Sequence, residues 1–208
     1  EIDEMMAPFL GNANPTLGIY AKGDGIHLRI TAKAAVEDEA RRLLSSREKE
    51  LREILRTSIW GADDETLENG IARRLTAAGI TLAVAETLTA GQLCQCFAGL
   101  PGSDAFFRGG LVLPALKDTA GEGKAIQMAT EARKQFGADI GLAIDGYWEE
   151  VDNEVRSGAF IAITGNDGVE SRTPGAPGRL PQFTRRILTY ALSTFFNHLP
   201  PERAVKLP

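Results

Sequence analysis

Cysteine is nearly missing from this 208-residue chain: Cys94 and Cys96 are the only two, too few for a disulfide scaffold. At positions i and i+2 they point apart on a helix or share one face of a strand. They read as buried free thiols of a reducing compartment, the cytoplasm, rather than as a bridge. Histidine is equally scarce, and His27 and His198 lie in other segments, so neither cysteine has a base beside it. A surplus of positive charge is also lacking. The 23 Lys and Arg residues are outnumbered by 28 Asp and Glu, for a net charge of −5. That balance argues against nucleic acid and anionic membranes as general partners. No apolar run approaches the roughly 20 residues that a bilayer span needs, and no segment has the charged, apolar, small-residue order of a secretory signal. Repeats and low-complexity tracts are absent as well. What remains is ordinary globular material, 43% hydrophobic and 25% charged, enough for one large domain or two small ones.

Two textures divide the chain. Glu1–Leu10 reads as the tail of an upstream domain, leaving residues 12–61 as a first module and 62–208 as a second domain. In the first, Thr16–Lys22 and Ile26–Ala32 flank Gly23-Asp24-Gly25, a hairpin signal. Ile26, Leu28 and Ile30 alternate with His27 and Arg29, so one face is buried. Glu37–Arg56 then carries Ala40, Leu43, Leu44, Leu51, Ile54 and Leu55 on one helical stripe. The unit is a small β-β-α module. Beyond Gly61, Asp63 or Asp64 is expected to cap a helix running to Ala78, with Gly79 as its stop. Strands and helices then alternate: strand Thr81–Ala85, helix Gly91–Leu100, a strand near Gly110–Leu113, helix Gly123–Phe136, strands Ile140–Ile144 and Gly158–Ile163, and helix Phe183–His198. The nearly continuous apolar runs at 140–144 and 159–163 suggest strands covered on both faces, hence a three-layer α/β/α sandwich. The fold class is therefore α/β throughout.

The chemistry-bearing segment is Ala85-Glu86-Thr87-Leu88-Thr89-Ala90-Gly91, at a strand-to-helix junction. Such a turn puts hydroxyls and N–H groups at the carboxyl rim of a sheet, where open α/β folds bind ligands. A second segment, Leu100-Pro101-Gly102-Ser103-Asp104, leads to Arg108-Gly109-Gly110. With Asn14-Pro15-Thr16, His27-Leu28-Arg29-Ile30-Thr31-Ala32 and Ile59-Trp60-Gly61-Ala62-Asp63-Asp64, these residues resemble the CinA (competence/damage-inducible) family over nearly the whole length. The resemblance implies a KH-type middle module followed by a domain similar to nicotinamide mononucleotide amidases, which release ammonia from the amide. It also implies an N-terminal nucleotide-hydrolase domain as partner, and a tendency to self-associate.

Set against the family's Glu-Ser-Cys-Thr-Gly-Gly motif, this chain keeps Glu86, Thr89 and Gly91, puts Thr87 at the serine nucleophile's place and Ala90 at the first glycine's. Gly102 and Ser103 match a Gly-Ser-Ser turn, with Asp104 as the second serine. Pro114 stands at a tyrosine, and Thr119 at the activating lysine, with Lys117 two residues earlier and about sixteen family residues missing beyond (a gapped count). The substrate-side glycine-rich loop becomes the acidic stretch Asp145–Glu154, which also holds Tyr147 and Trp148, and a late arginine falls at Arg179. The candidate catalytic residues are thus Thr87, Glu86 and Lys117. The candidate substrate-binding residues are Thr89, Gly91, Ser103, Arg108, Asp145 and Arg179. No metal is expected, because an acidic loop of this kind is ordinarily a solvated face, and no cofactor is expected. A hydroxyl nucleophile needs a base within reach and oxyanion donors. A β-branched threonine is restricted at χ1, and Lys117 lies roughly 6–7 Å along a strand from position 119. Glu149, Glu150, Asp152 and Glu154 would repel a phosphate. Three readings follow. The first is a catalytically degenerate amidase-like domain serving assembly or regulation. The second is an active deamidase using Thr87 with Glu86 or Lys117, and the third a nucleotide-binding module without hydrolysis. RNA binding is not expected of the first module, since a Gly-x-x-Gly clamp is missing from it.

Overall fold

The computed structural model describes residues 2–175 and 180–201. The chain divides into two compact units, Glu1–Ile59 and Trp60–Pro208. The first begins with a helix, α1 (Ile2–Leu10), followed by strands β1 (Thr16–Lys22) and β2 (Gly25–Thr31) and helix α2 (Glu37–Leu55). The strands pair antiparallel, with Leu17 opposite Ile30 and Ile19 opposite Leu28, which puts these four on one face. Leu17 is buried there with Leu51 and Leu55 of α2. Residues 2–10, within the segment read above as a tail, supply part of this core: Met6 is fully buried, with Ile2 and Phe9 beside it. The spacing i, i+4, i+7 explains the helix. Arg47 of α2 lies over the Phe9 ring, 5.0 Å from its centre.

The second unit opens with α3 (Leu67–Ala78). Its cap is Thr66, not Asp63 or Asp64: the Thr66 hydroxyl accepts from the Asn69 N–H at 3.3 Å, and the Asn69 side-chain oxygen accepts from the Thr66 N–H at 3.2 Å. That reciprocal box places Leu67 and Ile71 in the core. Gly79 ends the helix at φ 66°, as its position suggested. Next come β3 (Leu82–Glu86), α4 (Gln92–Ala98), β4 (Phe107–Val112), α5 (Glu122–Phe136), β5 (Ile140–Val151), β6 (Glu154–Gly165), β7 (Gly168–Arg172) and α6 (Leu180–His198). The sheet order is β4-β3-β5-β6-β7. β3 is parallel to β4 and β5, while β6 and β7 add antiparallel hairpins.

Alternation along the strands builds two unlike faces. Leu82, Val84, Leu142, Ile144, Ile161 and Ile163 form one buried cluster with residues of α3, α4 and α6. Ala83, Ala85, Ala143 and Ala162 point the other way, onto Ala125, Met128, Ala129 and Ala132 of α5. Large side chains cover the first face, and small ones let a single helix approach the second. The result is the expected three-layer sandwich.

At the amino ends of the central strands, the Asp139 carboxylate accepts from the Thr81 hydroxyl at 2.6 Å and from its N–H at 2.9 Å. These bonds, the hydroxyl's first, hold the Asp139 carboxyl below its ordinary 3.8, with Arg133 and Arg108 adding to the effect. A lowered native pKa stabilises the fold above the ordinary value and is lost as pH falls through the lowered one. Urea midpoints are therefore expected to fall as pH drops below about 4, by less in Asp139→Asn than in the parent.

Candidate functional site

Glu86 ends β3, and residues 87–91 carry the chain over the rim of the sheet into α4. The Glu86 side chain is completely buried. One of its oxygens accepts from the Thr89 hydroxyl at 2.5 Å and the Leu93 N–H at 3.1 Å, the other from the Cys94 N–H at 2.8 Å. The carboxylate ties the turn to the first residues of α4, and the Thr89 hydroxyl is used up in the same knot. Gly91 adopts φ 100°, open to glycine, but Ala90 is held at φ 50°. A left-handed alanine costs about 1 kcal/mol.

Thr87 is 3% exposed and Asp145, on β5, is 0% exposed. The Thr87 hydroxyl donates to Asp145 Oδ1 at 2.9 Å and accepts from the Gly146 N–H at 3.1 Å. Asp145 Oδ2 accepts from the Gly121 N–H at 2.9 Å, and Lys124 Nζ lies 3.3 Å from Oδ1. Lys124 also donates to the Thr119 hydroxyl at 3.2 Å. The site is thus a closed chain of hydroxyl, carboxylate and ammonium linking β3, β5 and the first turn of α5. Lys124 is absent from the candidates drawn from the sequence. The available signal was its place in a helix's first turn, where a cation opposes the backbone dipole and calls for a carboxylate partner.

The other candidates fall elsewhere. Lys117 pairs with Glu149. Leu82 is in register with Phe107 and Glu86 with Val112, so Arg108 lies at the amino end of the parallel pair, the length of β3 away from Thr87. There Arg108 donates to the Asp104 carbonyl at 3.5 Å and the Ser103 hydroxyl to the Ala98 carbonyl at 3.4 Å. Arg179 lies outside the described residues. The stretch Asp145–Glu154 is not a loop: β5 runs through it to Val151, and Asp152 and Asn153, at φ 54° and 64°, form a tight turn into β6. Two successive positive φ angles make the primed hairpin turn that Asp-Asn favours. Asp152 is then roughly 20 Å along the strand from Asp145, so the acidic residues line an arm rather than ring a pocket. Trp148 packs on the large-residue core, and the Tyr147 ring covers Gly158 opposite it.

The cysteines are half-buried rather than fully buried. Burial first, then Glu86, pushes the Cys94 thiol up to about 12. Burial and then Glu68 do the same to Cys96, also to about 12. Both stay protonated and inert as nucleophiles at neutral pH. A cleft of about 300 Å³ does open on this unit, at the opposite end of the sheet, lined by Ile80, Asp139, Asn166, Glu170 and His198 among others. Glu170 there is already paired with His198 at 2.9 Å and Arg172 at 2.7 Å. Among the described residues, no three His, Cys, Asp or Glu side chains are grouped to hold a metal, and no helix is long and apolar enough to cross a membrane.

A five-stranded mixed sheet with one helix on its alanine face and three on the other, carrying a hydroxyl turn at the rim of its parallel strands, defines a three-layer α/β domain, and the first unit is a small two-stranded α/β module. Residues 1–61 match the KH domain of damage-inducible protein CinA and residues 64–118 the CinA C-terminal domain, together more than half of the chain; the chain belongs to the CinA family. Glu86, Thr87, Thr89, Gly91 and Lys117 fall inside the second match, Lys124 and Asp145 beyond it. A CinA-like protein of Acaryochloris marina is 30% identical over 174 residues, covering 84% of this chain and 41% of that protein. One from a Synechococcus species is 34% identical over 198 residues, covering 85% and 47%. The chain spans under half the length of both. A CinA superfamily structure from Escherichia coli superposes with TM-score 0.58 at 21% identity, over 70% of this chain and 98% of that one. A competence or damage-inducible protein from Enterobacter asburiae gives 0.58 at 22%, over 66% and 100%. Those structures share the fold.

Proposed function

We propose that the second unit is an amidase-like domain without turnover, serving assembly or regulation within a cytoplasmic CinA-like protein. Its proposed partners are other copies of itself and the N-terminal nucleotide-hydrolase domain that the family resemblance implies. The observation that carries this reading is the state of the Thr87 hydroxyl: 3% exposed, its proton given to Asp145 and a lone pair given to the Gly146 N–H. Attack on an amide requires an oxygen that meets its substrate and hands its proton to a free base. Here the carboxyl's two oxygens are already engaged by Gly121 and Lys124, and Lys117 is engaged by Glu149.

One observation favours turnover by Thr87, with Asp145 in place of Glu86 or Lys117 as base: their 2.9 Å separation lies within proton-transfer reach. A single assay separates the two. Incubated with nicotinamide mononucleotide, the protein is expected to release no ammonia above a blank, and Thr87→Ala to leave that result unchanged. Turnover abolished by Thr87→Ala overturns the proposal. Added nucleotides are expected to leave the melting temperature unmoved; a saturable rise without ammonia release would make the domain a nucleotide-binding module instead.

A further inference from the structure

Asp145 is surrounded by donors that come from separate parts of the fold. Thr87 Oγ1 at 2.9 Å comes from the rim of β3, the Gly121 N–H at 2.9 Å from the residue before α5, and Lys124 Nζ at 3.3 Å from the first turn of that helix. The carboxylate they hold is fully buried, Thr87 nearly so, and the Lys124 side chain is 23% exposed. A neutral hydroxyl and an ammonium on one carboxylate oxygen, with a backbone N–H on the other, are the donor set of a site for a small oxyanion. We infer that Asp145 is a tethered occupant of such a site. Its carboxyl group fills, from within the chain, a place built to receive the carboxylate or phosphate oxygens of a free anion, and so keeps that place shut. Lys124 and the Thr87 hydroxyl approach the same oxygen, Oδ1. Removing the occupant leaves an ammonium and a hydroxyl facing one empty position.

An ordinary buried ion pair makes a different forecast from a filled binding site. When one partner of a plain pair is removed, the survivor is left charged and strained, and no external anion fits in. When the occupant of a site is removed, a fragment of its own size restores it. Asp145→Ala deletes the carboxyl group alone, and formate is the matching fragment. The test is a melting curve of the full chain in formate against chloride at constant ionic strength. The Asp145→Ala protein is expected to melt below the parent and to regain about 3–6 °C at ten times the half-saturating formate concentration. The parent is expected to be indifferent to the exchange, and Asp145→Ala with Lys124→Met to show no saturable gain. If Asp145→Ala fails to fold in chloride, refolding yield is the readout, with recovery expected in formate only. Equal yields in the two salts, a rise shared by the parent, or a rise that survives Lys124→Met would each overturn the inference. The reading of a domain without turnover rests on ammonia release and stands or falls separately.

Discussion

Glu86→Ala is expected to destabilise the second unit by about 3–5 kcal/mol, lowering its melting temperature by roughly 6–20 °C. The carboxylate accepts three hydrogen bonds inside the protein, from the Thr89 hydroxyl and from the N–H groups of Leu93 and Cys94. Alanine deprives all three donors of a partner at a position with no solvent access. Each buried donor left unmade costs about 1–3 kcal/mol, with the Thr89 hydroxyl at the low end because it can rotate. Against a total of about 5–15 kcal/mol, the loss is a large share of what holds a domain folded. Glu86→Gln is expected to cost about half as much. Its amide oxygen serves the donors on one side, while its NH₂ meets an N–H on the other, so one backbone donor is lost instead of three groups. Hydrogen exchange of the Leu93 and Cys94 amides should accelerate in the same order, Ala more than Gln. An alanine variant within about 1 kcal/mol of the parent would show that Glu86 does not hold the turn.

That role has a consequence for the chemistry at the rim. A carboxylate occupied by two backbone N–H groups and a hydroxyl is a structural acceptor, and the Thr87 hydroxyl turns instead to Asp145 on the neighbouring strand. Two buried carboxylates thus divide the work at one junction. Glu86 faces α4 and ties the turn down, and Asp145 faces α5 and closes the rim.

The layers of the fold were legible in the sequence because burial leaves a period. The apolar runs at 140–144 and 159–163 are central strands paired antiparallel, with Leu142 opposite Ile163 and Ile144 opposite Ile161. The strand β7 was not legible: Gly168-Val-Glu-Ser-Arg172 is a polar edge strand, exposed to half-buried, with no core face to pattern it. The hairpin arm reads as a loop in the sequence for a related reason. Beyond Trp148 the strands leave the layers, so acidic residues there carry little burial penalty and look like a loop. Glu86, Thr87 and Thr89 were readable as a rim cluster because one strand end sets them side by side. Ser103 and Arg108 read as binding residues of the same rim because sequence order does not say which end of a parallel pair a residue occupies; the Leu82–Phe107 register puts them at the other. Lys124 carries no such side-by-side signal in the sequence because its partner is 21 positions away on another element, and only the docking of α5 against β5 brings the two together.

That docking supplies the last prediction. Gly141→Ala is expected to cost 3 kcal/mol or more, at the upper end of what overpacking produces (about 1–3 kcal/mol, occasionally more). A Cβ at Gly141 would lie 2.0 Å from the Ala129 carbonyl oxygen and 2.8 Å from its carbon. Both obstacles are backbone of α5, so no rotamer change relieves them and the helix itself has to move off the alanine face. Because α5 carries Lys124 and follows directly on Gly121, the same shift would pull two donors away from Asp145. Gly123, on the same helix, is the control. Nothing lies within 4 Å of a Cβ there, so Gly123→Ala is expected to be neutral or to stabilise by up to about 1 kcal/mol through helix propensity. Denaturant midpoints of the two variants should therefore move in opposite directions, or one should move down while the other stays. Equal midpoints would mean that α5 does not rest on β5 at this distance, and the close helix layer would have to be redrawn.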